Sequence, residues 1–99
     1  MNLAAEVERT ADRLGTMSEA RLVKRAAEVH RVLQRIADAG RAAAGRPQIA
    51  VPRLAPRAWA DQVVVIGGEA VAAMSDTAAE PLAEELVRLR RMFDESMLP

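Results

Sequence analysis

Ninety-nine residues suffice for one domain with a modest core. Apolar residues make up 51 % of the chain, which excludes disorder along its whole length, and the absence of cysteine excludes disulfides, thiolate metal sites and a cysteine nucleophile. Lys+Arg and Asp+Glu number 14 each, so the basic footprint usual for nucleic-acid binding is missing from the chain as a whole.

The charges are unevenly placed. Residues 1–20 carry two basic and four acidic groups, residues 21–57 nine and two, and residues 58–99 three and eight. A basic helix lying beside an acidic one is the simplest arrangement for such a pattern. Alanine accounts for 21 residues, with one Trp, one Phe and no Tyr, so any core is aliphatic and thin, and added surface from a partner is expected to help it.

Leu3, Val7, Thr10 and Leu14 recur at steps of four and three, which places them on one stripe of a helix over about 3–14. Gly15 suits the left-handed residue that closes a helix. Thr16 with Glu19 then matches a capping box. Leu22, Ala26, Val29, Leu33 and Ile36 continue the helical spacing and predict a second helix over about 17–44, about 40 Å long. Arg21, Lys24, Arg25, Arg31 and Arg35 fall opposite or beside that stripe, forming a candidate basic face.

Pro47, Pro52 and Pro56 break the pattern and set a linker over about 45–57. Ile49, Val51 and Leu54 are apolar, so the linker is expected to lie against the helices, with Pro56 in the first turn of helix three. Trp59, Val63, Ile66 and Ala70 predict that third helix over about 58–75. Leu82, Leu86, Leu89 and Phe93 predict a fourth over about 78–95, with Thr77 and Glu80 as a second capping box, Pro81 in its first turn and Ser96 to Pro99 frayed. The reading is an all-α fold, a compact four-helix bundle in one domain with a proline-rich crossover between helices two and three.

Val63-Val64-Val65-Ile66-Gly67-Gly68 admits a second reading, a strand entering a phosphate-binding turn. The dinucleotide fingerprint needs spaced glycines inside a βαβ unit; here the glycines are adjacent and no second strand is present. The helical register through Trp59, Val63, Ile66, Ala70 and Met74 runs unbroken, so a helix is expected. Gly68 and Ala72, four apart, would then let helix two approach at Ala26 and Gly40.

No constellation for chemistry stands out. His30 has Ala26, Ala27, Leu33 and Gln34 as its helical neighbours, which offers no metal set. The serines lack a nearby histidine, and Glu84-Glu85 and Asp94-Glu95 read as solvated charge. No catalytic, metal or cofactor-binding residue is assigned, no cofactor and no small-molecule substrate are expected, and the protein is read as non-enzymatic. The most apolar window, 58–74, is interrupted by Asp61, Gln62 and Glu69 and is too short to span a bilayer; no leader is evident, and a cytoplasmic location without membrane partners is expected.

Helix three carries Val64, Val65, Val71 and Ala72 besides its main stripe. A helix apolar nearly all round must be covered on most sides, so Trp59, Val64, Val65, Gly68, Val71 and Ala72 are the candidate interface, in a homodimer or against another helical protein. A nucleic-acid-associated regulator using the basic face is the alternative, disfavoured by the scarcity of aromatic residues for base stacking.

The segments Thr10-Ala-Asp-Arg-Leu-Gly-Thr-Met-Ser-Glu-Ala-Arg-Leu22, Val51-Pro-Arg-Leu54 and Asp61-Gln-Val-Val-Val-Ile-Gly-Gly68 resemble a small, uncharacterised family of actinobacterial helical proteins. The resemblance covers half the chain and rests on helix caps and packing positions. It implies a bacterial cytosolic protein and no activity. The chain does not resemble the secreted helical hairpins marked by a W-x-G turn, because Trp59-Ala60-Asp61 lacks the glycine.

Overall fold

The computed structural model describes residues 1–95, so the expected fraying of residues 96–99 lies outside the described residues. Five α-helices succeed one another, α1 (Leu3–Gly15), α2 (Glu19–Val23), α3 (Ala26–Ala43), α4 (Trp59–Ala73) and α5 (Asp76–Glu95), with a 3-10 turn at Pro56–Ala58 before α4. The fold is all-α, with no strand among the described residues. Val63 to Gly68 is helical throughout, as the unbroken register requires.

The helix ends differ from the sequence reading. Asn2 caps α1, its side chain accepting from the Ala5 amide at 3.0 Å. Gly15 still belongs to the helix, and the only described residue with positive φ is Gly45, at 69°. Ser18, not Thr16, caps α2 by accepting from Arg21 N, while the Thr16 hydroxyl donates back to Arg13 O at 2.9 Å. Likewise Ser75, not Thr77, accepts from Ala78 N at 3.2 Å to open α5. In both places a serine two residues from the threonine is better placed to meet the orphan amides. Pro81 consequently lies inside α5, past its first turn, and deletes one ladder bond on an exposed side.

The expected single helix over 17–44 is two helices. Arg25 departs from helical geometry (φ −114°, ψ 23°) between α2 and α3, although neither Gly nor Pro occurs between residues 19 and 39. The break lets α2 turn toward the 3-10 turn at Pro56–Ala58 while α3 stays against α4 and α5. Arg25 is itself tied across the molecule, donating to Met92 O of α5 and facing Glu28 at 3.4 Å.

α4 lies against both α1 and α3, and α5 lies against the same two, while α4 and α5 barely touch. The apolar stripes meet between them: Leu3, Val7 and Leu14 of α1, Val29, Leu33 and Ile36 of α3, Trp59, Val63 and Ala70 of α4, and Leu82, Leu86, Leu89 and Phe93 of α5 are buried. Two close approaches shape α4. A Cβ on Gly67 would stand 2.5 Å from Val7 Cγ2, and one on Gly40 would stand 3.0 Å from Ala70 Cα. The small residue that admits a neighbour is therefore Gly67 on the α1 side and Gly40 on the α3 side. A Cβ on Gly68 would meet nothing within 4 Å, which corrects its expected packing against helix two.

Between α1 and α5 sits a polar contact inside the core. Glu6, 5 % exposed, accepts from Arg90 Nη2 and Arg9 Nη1, both at 2.6 Å. Arg90 Nη1 also donates to the fully buried Thr10 hydroxyl at 2.9 Å, and that hydroxyl donates to Glu6 O at 2.7 Å. The stripe position assigned to Thr10 holds, but its hydroxyl is satisfied within this network, as a buried polar group requires.

Candidate functional site

Two surfaces stand out, one bordered and the other walled by residues 46–55, the extended strap that joins α3 to the 3-10 turn. With prolines at 47 and 52 the strap cannot form a helix, and its polar backbone must find partners elsewhere. Side chains of α3 and α4 supply them. Gln34 uses both ends of its amide, donating to Ile49 O at 2.9 Å and accepting from Val51 N at 2.8 Å. Arg41 donates to Pro47 O, Gln62 to Pro52 O at 2.9 Å and the Trp59 indole to Leu54 O at 3.1 Å. Val51 packs on the core, as expected for the linker; Ile49 and Leu54 remain exposed.

The first surface is the outer face of α4. Val64, Val65 and Val71 are exposed, Val65 at 61 %, and Gly68 and Ala72 lie exposed among them. Trp59, expected in this set, is 1 % exposed, with its ring turned into the chain's own core and its indole on the strap. The reason is positional: Trp59 shares the Val63–Ala70 stripe, which α1 and α3 cover. Beside Val65 the apolar face continues into a shallow hollow of about 380 Å³ bordered by Pro52, Leu54, Ala58 and Ile66. Asp61 and Glu69 are exposed charges on the same helix.

The second surface is an open groove of about 710 Å³ between α3 and the strap, lined by His30, Arg31, Gln34, Arg35, Val51 and Arg53 among others. His30 and Trp59 meet edge to face, ring centroids 5.7 Å apart. Burial, and then the nearby Arg53 charge, hold His30 below its usual value of 6.5, so the imidazole is neutral at physiological pH. Its Nδ1 has no hydrogen-bond partner among the described residues.

The basic face does not assemble as one surface. Arg31 and Arg35 border the groove, joined there by Arg53, which the sequence reading leaves in the linker. Arg25 is drawn to α5, Arg21 is half-buried on α2, and Lys24 lies exposed at the break. Arg35 reaches Glu85 at 3.4 Å, and Arg88 reaches the same oxygen at 3.2 Å. Glu85 is therefore buried and ion-paired, correcting its reading as solvated charge, while Glu84 beside it is exposed. Asp94 also has a partner, Arg13 at 2.8 Å. Groove membership of Gln34 and Arg53 had no sequence signal, because it depends on where the strap returns across α3.

Among the described residues no three His, Cys, Asp or Glu side chains come together as a metal set, and no helix is long and apolar enough to cross a membrane. No protein-family model, curated protein or solved structure matches this chain.

Proposed function

We propose that this is a non-enzymatic interaction protein whose working surface is the outer face of α4, and that its partner is a second copy of the chain. In this reading α1, α3, α4 and α5 form a four-helix bundle, and the strap is its proline-rich crossover. The observation that carries it is the run of exposed Val64, Val65 and Val71 around the bare backbone at Gly68. Covering a valine gains about 1.5 kcal/mol or more, and an uncovered patch of branched residues marks a contact surface. In this reading the branched side chains of one copy seat against the exposed backbone at Gly68 of the other, in an isologous two-fold contact. A different helical protein seated on the same face is the variant of this reading. A bacterial, cytoplasmic setting belongs to the same proposal.

Light scattering after size exclusion tests it. A dimer mass at tens of micromolar, reverting to monomer in Val64→Glu and Val65→Glu, is the expected result. A wild-type mass that stays monomeric over that range, with no helical partner retained by the wild type and lost by the variants, overturns it.

A further inference from the structure

We infer that the groove between α3 and the strap is a binding site for a small organic anion, whose phosphate or carboxylate group is held by Arg31, Arg35 and Arg53. The inference is independent of the α4 face and concerns a different surface of the molecule.

Three arginines line one groove, two from successive turns of α3 and one from the strap opposite. Among the described residues the side chains of Arg31 and Arg53 have neither a hydrogen bond nor an ion pair, and that of Arg35 has only the 3.4 Å contact with Glu85, an acid it shares with Arg88. The carboxylate bordering the groove, Asp38, already accepts from Gln34 Nε2 at 2.8 Å. That hydrogen bond leaves the Asp38 charge in place, but three arginines outnumber the one carboxylate in the lining, so positive charge is in excess there although the whole chain is neutral. Guanidinium forks match the planar oxygens of phosphate and carboxylate, giving short, charge-assisted hydrogen bonds.

The rest of the groove fits the body of a small ligand. Ala27, Ala39 and Val51 provide apolar lining, and the volume of about 710 Å³ lies within the range of small-molecule sites. The walls are set in advance, because Gln34 fixes the strap to α3 at two backbone atoms; a preformed site loses less on ordering. A nucleic acid is the poorer fit. The one tryptophan and the one phenylalanine are buried and the chain has no tyrosine, so the groove's one ring is His30, half-buried and engaged with Trp59, and no row of aromatic faces is offered to successive bases.

The test is a titration of the full chain with pyrophosphate and, separately, citrate, at constant ionic strength maintained with sodium chloride, monitoring backbone amide shifts. The expected result is saturable shifts confined to residues 27–42 and 48–53, with binding weakened about tenfold in Arg53→Gln and in Arg31→Gln and unchanged in Arg91→Gln, an exposed arginine outside the groove. Response to one anion and not the other assigns phosphate or carboxylate as the recognised group. Circular dichroism identical to wild type shows that the variants are folded; if either one unfolds, the corresponding lysine variant, which keeps the charge and loses the fork, takes its place and is expected to bind several-fold more weakly. Shifts that respond to chloride equally, that spread over all arginines, or that survive Arg53→Gln and Arg31→Gln overturn the inference. So does binding of a random DNA duplex to these residues with no response to either small anion.

Discussion

Gly67 and Gly68 are neighbours with opposite structural roles, and that difference is measurable. A methyl on Gly67 collides with Val7, whose β-branched side chain has little freedom to rotate away inside a helix and is buried. Overpacking costs about 1–3 kcal/mol, which exceeds the roughly 1 kcal/mol that alanine gains over glycine in a helix. Gly67→Ala is therefore expected to lower the urea midpoint, whereas Gly68→Ala, with nothing of its own chain within 4 Å, should raise it by the equivalent of about 1 kcal/mol when compared in the Val64→Glu background, where the α4 face is unpaired. Two titrating residues link stability to acid. Burial raises the Glu6 carboxyl, but hydrogen bonds and charge from Arg90 and Arg9 together outweigh it and leave the group below its ordinary 4.5. On acidification the unfolded chain takes up that proton first, so Glu6 stabilises the fold above about pH 4.5 and the contribution disappears as pH falls through its lowered folded value. His30, facing Arg53 across the groove and lining it beside Arg31, Arg35 and Asp38 of its own helix, is also lowered; the unfolded chain again protonates first, and stability declines as pH falls below about 6.5. Denaturation across this range should show a decline from each of the two groups, that of His30 at the higher pH. His30→Gln should remove the upper one alone, and persistence of that decline in the variant would refute its assignment.

At the scale of elements, the strap depends on borrowed hydrogen bonds. Gln34 stands in for a neighbouring strand at Ile49 O and Val51 N. Gln34→Ala should cost about 1–2 kcal/mol and, more tellingly, abolish the slow hydrogen exchange expected at the Val51 amide while leaving the α4 amides protected. Equal loss of protection in both would mean that the strap and helices open together. Most helix positions were legible from spacing, because burying one stripe imposes the same period wherever the stripe faces. Their ends were less so: Thr16 and Thr77 satisfy the capping pattern, but Ser18 and Ser75 make the caps, since a small change in where the chain turns costs little locally. The division at Arg25 was not legible at all. It answers contacts with the turn at Pro56–Ala58 and with Met92, both distant in the chain.

For the molecule as a whole, thickness decides which faces remain open. The fold measures 43 × 27 × 17 Å, and the shortest dimension admits about two helix layers at 8–10 Å between axes. Every helix in such a slab keeps an outward side. For α1, α3 and α5 that side is polar, whereas α4 has Val64, Val65 and Val71 there. If the α4 face pairs with a second copy, Val64→Glu and Val65→Glu should abolish concentration dependence of the thermal midpoint, since dimerisation links stability to protein concentration. A wild-type midpoint already independent of concentration would count against pairing.

The sequence by itself determined the all-α class, the helical state of Val63 to Gly68 and the apolar excess of α4. Each arises from short-range periodicity and the absence of alternation, which act within a few residues. Only the tertiary structure decided that Trp59 turns inward, that Gly67 instead of Gly68 admits a neighbour, that Glu6 and Glu85 are buried and ion-paired, and that Arg31, Arg35 and Arg53 share a groove. Those outcomes depend on which helix lies against which and on where the strap crosses α3, so they are fixed by contacts between residues far apart in the chain.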